Sequence, residues 1–179
     1  MAARNRTPMR NLIFVAFVEP VAEDQVFLRT DWPLHITLVR FDVEGRAGAD
    51  PAQAIAGLAE APAAAALGAA LTVGEDAAFG RGGNVPVSLV QPQPALQALH
   101  EQLVRAATEL GGTVLTPGHT LSGYRPHISH HGDKRLRPGD AVVLDRIALV
   151  DMAPDGDRTV RRVLRLWSVD QRRNSGAMR

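Results

Sequence analysis

The sequence predicts an α+β domain of seven strands and two helices, in the order strand, strand, helix, two strands, helix, three strands. Three observations carry this reading. Short apolar runs bounded by Gly, Pro, Asp or Asn recur along the chain, as strands require. Two stretches, opening at Asp50 and Pro94, show capping residues and helical spacing instead. The two halves have related element patterns, although no sequence repeat is visible. With 179 residues and 45% hydrophobic content, the chain has material for one domain or two small lobes.

The first strand is the run Leu12 to Val18. The arginines before it look superficially like a secretion signal, but Glu19 and Pro20 close the run and no small-residue cleavage site follows. Residues 20–33 read as an irregular connection, ending in Trp32-Pro33, into the strand "LHITLVRF". Asp50 can cap a first helix with Pro51 in its first turn, and Ile55 and Leu58 give a thin apolar stripe. The alanine-rich run "APAAAALGAAL" continues as helix and then turns.

"ALTVGEDAAFG" and "VPVSLVQP" read as two strands joined by "GRGGN", residues 80–84. A glycine-rich loop can cradle phosphate, but this one lacks the lysine and helix start of a nucleotide loop, so it reads as a hairpin turn. The clearest helix follows: Leu96, Leu99, Leu103, Ala106 and Leu110 repeat at helical spacing and Gly111 supplies the stop. His100 lies beside that stripe and reads as structural. "GYRPHISHHG", "AVVLDRIALVDM" and "RTVRRVLRLWSV" are the last three strands, the final two turning at "APDGDR". Trp167 should pack at the end of the last strand, and the tail from about residue 171 to 179 reads as disordered.

A formal charge of +1 leaves no bulk field to draw the protein to nucleic acid or membranes, so any anion binding must be local. Lys134 is the one lysine among 20 basic residues. With so many alanines, that arginine preference reads as coding bias rather than as selection for phosphate grips. The absence of cysteine excludes disulfides and thiolate zinc sites and fits a reducing compartment, so a cytoplasmic location is expected. No segment approaches the roughly 20 apolar residues that span a bilayer, and a soluble monomer without membrane partners is expected.

The stretch "PLHITLV", residues 33–39, looks like a buried strand except that His35 and Thr37 share one face. An imidazole beside a hydroxyl could be a satisfied pair, a ligand site or half of an active site. The second half of the chain supplies the counterpart: in "YRPHISHH", residues 124–131, His127 and Ser129 sit two apart around Ile128. Each pair spans roughly 6 to 7 Å along a strand, within reach of one small group such as phosphate. Splitting a phosphodiester needs a base for the attacking oxygen and an acid for the departing one. Two imidazoles with ordinary pKa values near 6.5 can share those roles, each contributing about 10²- to 10⁴-fold. The hydroxyls would hold the non-bridging oxygens. No metal or cofactor enters this scheme.

"LHITL" and "YRPHIS" resemble the two His-x-Thr/Ser signatures of the 2H phosphoesterase superfamily, which includes RNA 2',5'-ligase-like proteins and cyclic nucleotide phosphodiesterases. The resemblance spans roughly residues 11–168. It implies a single bilobal, pseudo-symmetric domain over residues 1–179, with antiparallel-rich sheets lining a central cleft and helices outside. It further implies a metal-independent phosphodiesterase acting on 2',3'-cyclic phosphates, related cyclic nucleotides or 2',5'-linked RNA ends. By that carry-over His35 and His127 are the acid-base pair, in either order, and Thr37 and Ser129 hold the phosphate. The sequence departs from the pattern at "HHGD", which should shorten or bend the second motif strand; His131 keeps the parity of His127 while His130 points away.

Three neighbours are candidates to bind substrate: Arg125 as a fork onto phosphate, and Tyr124 and Trp32 as platforms for a base. His119, His127, His130 and His131 could instead gather a metal, but no carboxylate or helical His-x-x-x-His spacing supports that reading. A module that binds a nucleotide or RNA end without turning it over is the alternative to an enzyme.

Overall fold

The computed structural model describes residues 8–46 and 48–171; the expectation for the C-terminal tail falls almost wholly outside them. Ten strands and two long helices follow one another as β1 Met9–Phe17, β2 Val26–Leu28, β3 His35–Glu44, α1 Pro51–Ala66, β4 Ala70–Phe79, β5 Val85–Val90, α2 Pro94–Glu109, β6 Thr113–Val114, β7 His127–Ser129, β8 Ala141–Val143, β9 Arg146–Asp151 and β10 Val160–Ser168. The strands form one open antiparallel sheet in the order β2-β10-β9-β1-β3-β7-β5-β4-β8, with β6 attached to β3. The pseudo-symmetric halves are therefore the two wings of one sheet, and they meet where β3 pairs with β7.

The run "LIFVAF" of β1 is apolar without alternation because both of its faces are buried. Leu12, Phe14 and Ala16 enter a core shared with both helices, whereas Ile13, Val15 and Phe17 enter a second cluster with Trp32, Val150 and Val163 on the other face. Both helices cover the first face. Asp50 caps α1 by accepting from the Ala52 amide at 3.0 Å, and Gln93 caps α2 by accepting from the Ala95 amide at 2.8 Å. Leu96, Leu99, Leu103 and Ala106 of α2 point inward as their spacing requires, but in α1 the buried stripe is Ala52, Ile55, Ala59, Ala63 and Ala66. Leu58 is 36% exposed, so alanines set how closely α1 approaches the sheet.

"GRGGN" is the β4–β5 hairpin turn. Gly80, Gly82 and Gly83 all take positive φ, and a Cβ on Gly80 would meet Asn84 and Val85 at 3.0 Å. Three short elements depart from the sequence reading. β2 lies inside the expected irregular connection, held to β10 by three residue pairs. β6 is a two-residue strand beside β3. The segment "AVVLDRIALVDM" splits: β8 pairs with β4 at one edge of the sheet, and β9 pairs with β1 and β10 in the other wing. The break falls at Leu144-Asp145, where Asp145 and Arg146 form an ion pair at 2.8 Å and Leu144 stays 2% exposed while the backbone changes partners. None of the helices is long and apolar enough to cross a membrane among the described residues.

Candidate active site at the junction of the two wings

Antiparallel β3 and β7 are registered with Ile36 opposite Ile128, both fully buried on the helix side. In that register His35 lies beside Ser129 and Thr37 beside His127, so all four polar side chains form one array on the face away from the helices. Cross-strand neighbours are about 5 Å apart at Cβ, and the diagonal pair, His35 and His127, about 7–8 Å. That diagonal is the span of one phosphate with an imidazole on either side. Residues 92 apart in the chain meet because β3 and β7 are sheet neighbours.

The two histidines are held alike. His35 Nδ1–H donates to the Pro33 carbonyl at 2.8 Å, and His127 Nδ1–H donates to the Arg125 carbonyl at 2.8 Å. A carbonyl only accepts, so in each neutral ring Nδ1 carries the proton and Nε2 keeps its lone pair. Each ring also has an aromatic neighbour: Trp32 at 4.4 Å from His35 and Phe79 at 4.5 Å from His127. Each aromatic is in turn met by a guanidinium, Arg161 at 5.9 Å from Trp32 and Arg125 at 4.9 Å from Phe79. Neither the Thr37 nor the Ser129 hydroxyl has a hydrogen-bond partner among the described residues, which leaves both donors free.

Burial, joined by the positive surroundings of His131, His127 and Lys134, pushes His35 down to about 4 against the pull of the Pro33 carbonyl. His127 is lowered as well, first by burial and then by Arg125 and His119, again opposed by its carbonyl partner. Both rings are therefore neutral near pH 7, and an anion between them would draw protons back onto them.

A cavity of about 540 Å³ opens beside His127, lined by Thr37, Phe79, Gly80, His119, Tyr124 and Arg125 among others. Tyr124 borders it with one face taken by the fully buried His100, at 3.8 Å and 5° between planes, and its hydroxyl donates to the Thr37 carbonyl at 2.9 Å. His100 Nδ1–H donates to the Leu38 carbonyl at 2.6 Å, and its Nε2 accepts from the Leu121 amide at 2.8 Å. His100 is thus structural, as expected, and through Tyr124 it fixes the backbone behind Thr37. Trp32 is only 8% exposed and is enclosed by Phe27, His35 and Arg161, so its ring braces His35 rather than offering a platform. Arg125 is exposed at the cavity rim over Phe79.

The "HHGD" segment ends β7 at Ser129 and folds into a tight turn in which His131 and Lys134 exchange backbone hydrogen bonds at 2.9 and 3.0 Å. His131 lies on the site's side, close enough to bear on His35, as its parity implied. His130 turns to the helix side, where its Nε2–H donates to the buried Ser88 hydroxyl at 2.8 Å; Ser88 gives its own proton to the Leu136 carbonyl. The four candidate metal-binding histidines are thereby divided, and no group of three potential ligands occurs among the described residues. Lys134 carries no signal in the sequence as a site residue. Its Nζ pairs with Glu19 at 3.0 Å and donates to the Trp32 carbonyl at 3.3 Å, tying the turn to the His35 side of the site.

A family model described as the 2'-5' RNA ligase superfamily matches residues 15–167. The match takes in both motifs and most of the sheet, and the chain belongs to that superfamily of phosphoesterase- and ligase-type enzymes. Among solved structures it is similar to one described as a phosphoesterase, at 18% identity and a TM-score of 0.57, covering 90% of this chain and 98% of that one. Escherichia coli LigT complexed with 3'-AMP matches at 20% identity and a TM-score of 0.55, covering 90% and 98%. The same protein complexed with phosphate matches at 18% and 0.54, covering 89% and 97%. These likenesses establish the fold. No curated protein matches the chain significantly.

Proposed function

We propose that the protein is a phosphodiesterase that opens 2',3'-cyclic phosphates, on a nucleotide or at an RNA end, by two-histidine acid-base catalysis. The observation that carries this is the diagonal array of His35, Thr37, His127 and Ser129, with both imidazoles in the same tautomer. In this reading the phosphate lies over the array, its non-bridging oxygens accepting from the Thr37 and Ser129 hydroxyls. One neutral Nε2 takes a proton from an attacking water as the new P–O bond forms. The other ring, protonated by the bound anion's field, gives its proton to the ribose oxygen as the old P–O bond breaks. One water is consumed and a phosphomonoester results, with both rings restored after a proton exchange with solvent. The base of the nucleotide would occupy the cavity beside Tyr124, and Arg125 at its rim would meet an outer phosphate oxygen.

The test is hydrolysis of 2',3'-cyclic nucleotides in the presence of a chelator. Activity should persist there and fall about 10²- to 10⁴-fold in each of His35→Ala and His127→Ala. Full activity in either variant would remove the mechanism. Saturable nucleotide binding with no product would establish the binding module instead.

A further inference from the structure

Beyond one end of the array, along β3, lies a second and larger cavity of about 1090 Å³. Residues 37 and 40 of β3 lie on the same face because the strand bulges at Leu38: Thr37 pairs with Val15, but Val39 and Arg40 pair with Phe14 and Ile13. Arg40 therefore continues the line of His35 and Thr37, about 10 Å or less further along the strand.

Six arginines border this cavity, but they are not equivalent. Arg10 is neutralised by Asp50 at 3.0 Å and Asp151 at 2.9 Å, and Arg162 faces Asp155 at 3.6 Å. Arg158 is exposed, as Arg29 and Arg40 also are, but unlike them it does not bear electrostatically on Arg161. Arg29, Arg40 and Arg161 have no carboxylate within ion-pair distance among the described residues. Arg40 spends Nε and one terminal nitrogen on the neutral Asn11 amide oxygen at 3.2 and 3.0 Å. Arg161 gives one terminal nitrogen to the carbonyls of Met152, Arg158 and Val160 at 2.7–3.0 Å, which anchors the guanidinium, while its buried Nε has no partner among the described residues. Burial makes the Arg161 charge less favourable, and Arg40 and Arg29 are near enough to add to that; Asp151, already committed to Arg10, offsets part of it. Of the four aspartates that line the cavity, Asp50 and Asp151 are taken by Arg10, Asp155 by Arg162 and Asp42 by the Asn11 amide, so the like charges gathered here, one of them fixed and partly desolvated, are costly unless an anion completes them. The same guanidinium meets the outer side of Trp32, whose ring lies against His35.

We propose that Arg29, Arg40 and Arg161 form a second phosphate subsite, so that the substrate carries at least one phosphate beyond the one being cleaved. The proposal rests on the assignment of the His35–His127 array as the reacting site and extends it to substrate class. Guanidinium forks suit phosphate oxygens better than a point charge does. Six of the nineteen arginines, whose abundance composition alone assigns to coding bias, border this one cavity. The second phosphate can be the 5'-phosphomonoester of the same nucleotide or a diester of an attached strand.

The experiment compares binding of adenosine 3'-monophosphate with adenosine 3',5'-bisphosphate by calorimetry. In parallel it compares kcat/KM for adenosine 2',3'-cyclic phosphate, its 5'-phosphorylated form and a short oligoribonucleotide ending in the cyclic phosphate. The second phosphate should improve affinity or kcat/KM roughly 10- to 100-fold. Arg29→Gln should remove most of that gain and leave the one-phosphate ligands unchanged, and Arg161→Gln should also remove most of the gain. For the oligonucleotide, the slope of log Kd against log salt should become shallower by about 0.7 for each phosphate that a variant no longer neutralises. Arg29→Gln carries the test if removal of the Arg161 hydrogen bonds impairs folding. A gain confined to the bisphosphate identifies the phosphomonoester, and one confined to the oligonucleotide identifies the diester. No gain in either, or a gain that both variants retain, overturns the subsite. A gain in binding without turnover would keep the subsite and refute the catalytic assignment.

Discussion

Acid should unfold this protein by way of its own active site, and His35 sets the size of the effect. The ring's ordinary value is 6.5 and the fold lowers it to about 4, mainly by burial. Below pH 6.5 the unfolded chain binds a proton at this position that the folded protein refuses. Stability is therefore complete above 6.5, falls as pH drops and levels off below about 4. The interval of roughly 2.5 pH units corresponds to about 3 kcal/mol at 1.36 kcal/mol per unit, a large share of a typical domain's 5–15 kcal/mol. Urea unfolding of the wild type and of His35→Gln at pH 7.0, 6.0, 5.0 and 4.5 measures it. His100, His127 and His130 are lowered too and contribute to both proteins, so the difference between the two curves isolates His35. The wild type should lose about 2.4 kcal/mol more than the variant between pH 7.0 and 4.5. Parallel curves would show that the ring is not desolvated as described, and the account of a neutral resting imidazole would fail.

Further outcomes follow from the same geometry. Since one ring must be neutral and the other protonated, and both are lowered, kcat/KM should trace a bell whose maximum lies below pH 6.5; a plateau extending above pH 8 would contradict the assignment. Thr37→Val and Ser129→Ala should each lower kcat roughly 10²-fold with little change in melting temperature, which steady-state kinetics and calorimetry would separate. Tyr124→Phe removes the hydrogen bond to the Thr37 carbonyl while keeping the His100 stack, and should cost about 1–2 kcal/mol and roughly 2–6 °C in melting temperature.

The fold class was legible because strand and helix periods are local properties. The α2 stripe and the Asp50 cap follow from positions a few residues apart. What escaped was set by distant partners. β2 and β6 are two or three residues long and exist only because β10 and β3 offer free edges. "AVVLDRIALVDM" is interrupted by Asp145-Arg146 but by no Gly or Pro, and a charged pair also fits the solvent side of one continuous strand, so nothing local reports that its two ends pair in opposite wings. The motif pairs could be read because their chemistry is compressed into three residues each and the parity of a strand places both members on one face. Their meeting across the β3–β7 register could not be read from spacing, nor could the stacking of Tyr124 on His100, which lie 24 positions apart. Trp32 shows the converse limit: three residues before a motif histidine it reads as a stacking platform, yet its ring closes the core behind His35. The arginines are the clearest case, since only tertiary structure distinguishes those with carboxylate partners from those without.

The most direct measurement of the central claim is NMR of the two imidazoles during titration with inorganic phosphate. If His35 and His127 flank one anion site, their Nε2 resonances should shift together at a single saturable phosphate concentration, and the pKa of both rings should rise. Movement of one ring without the other, or two separate saturation points, would contradict a shared pocket.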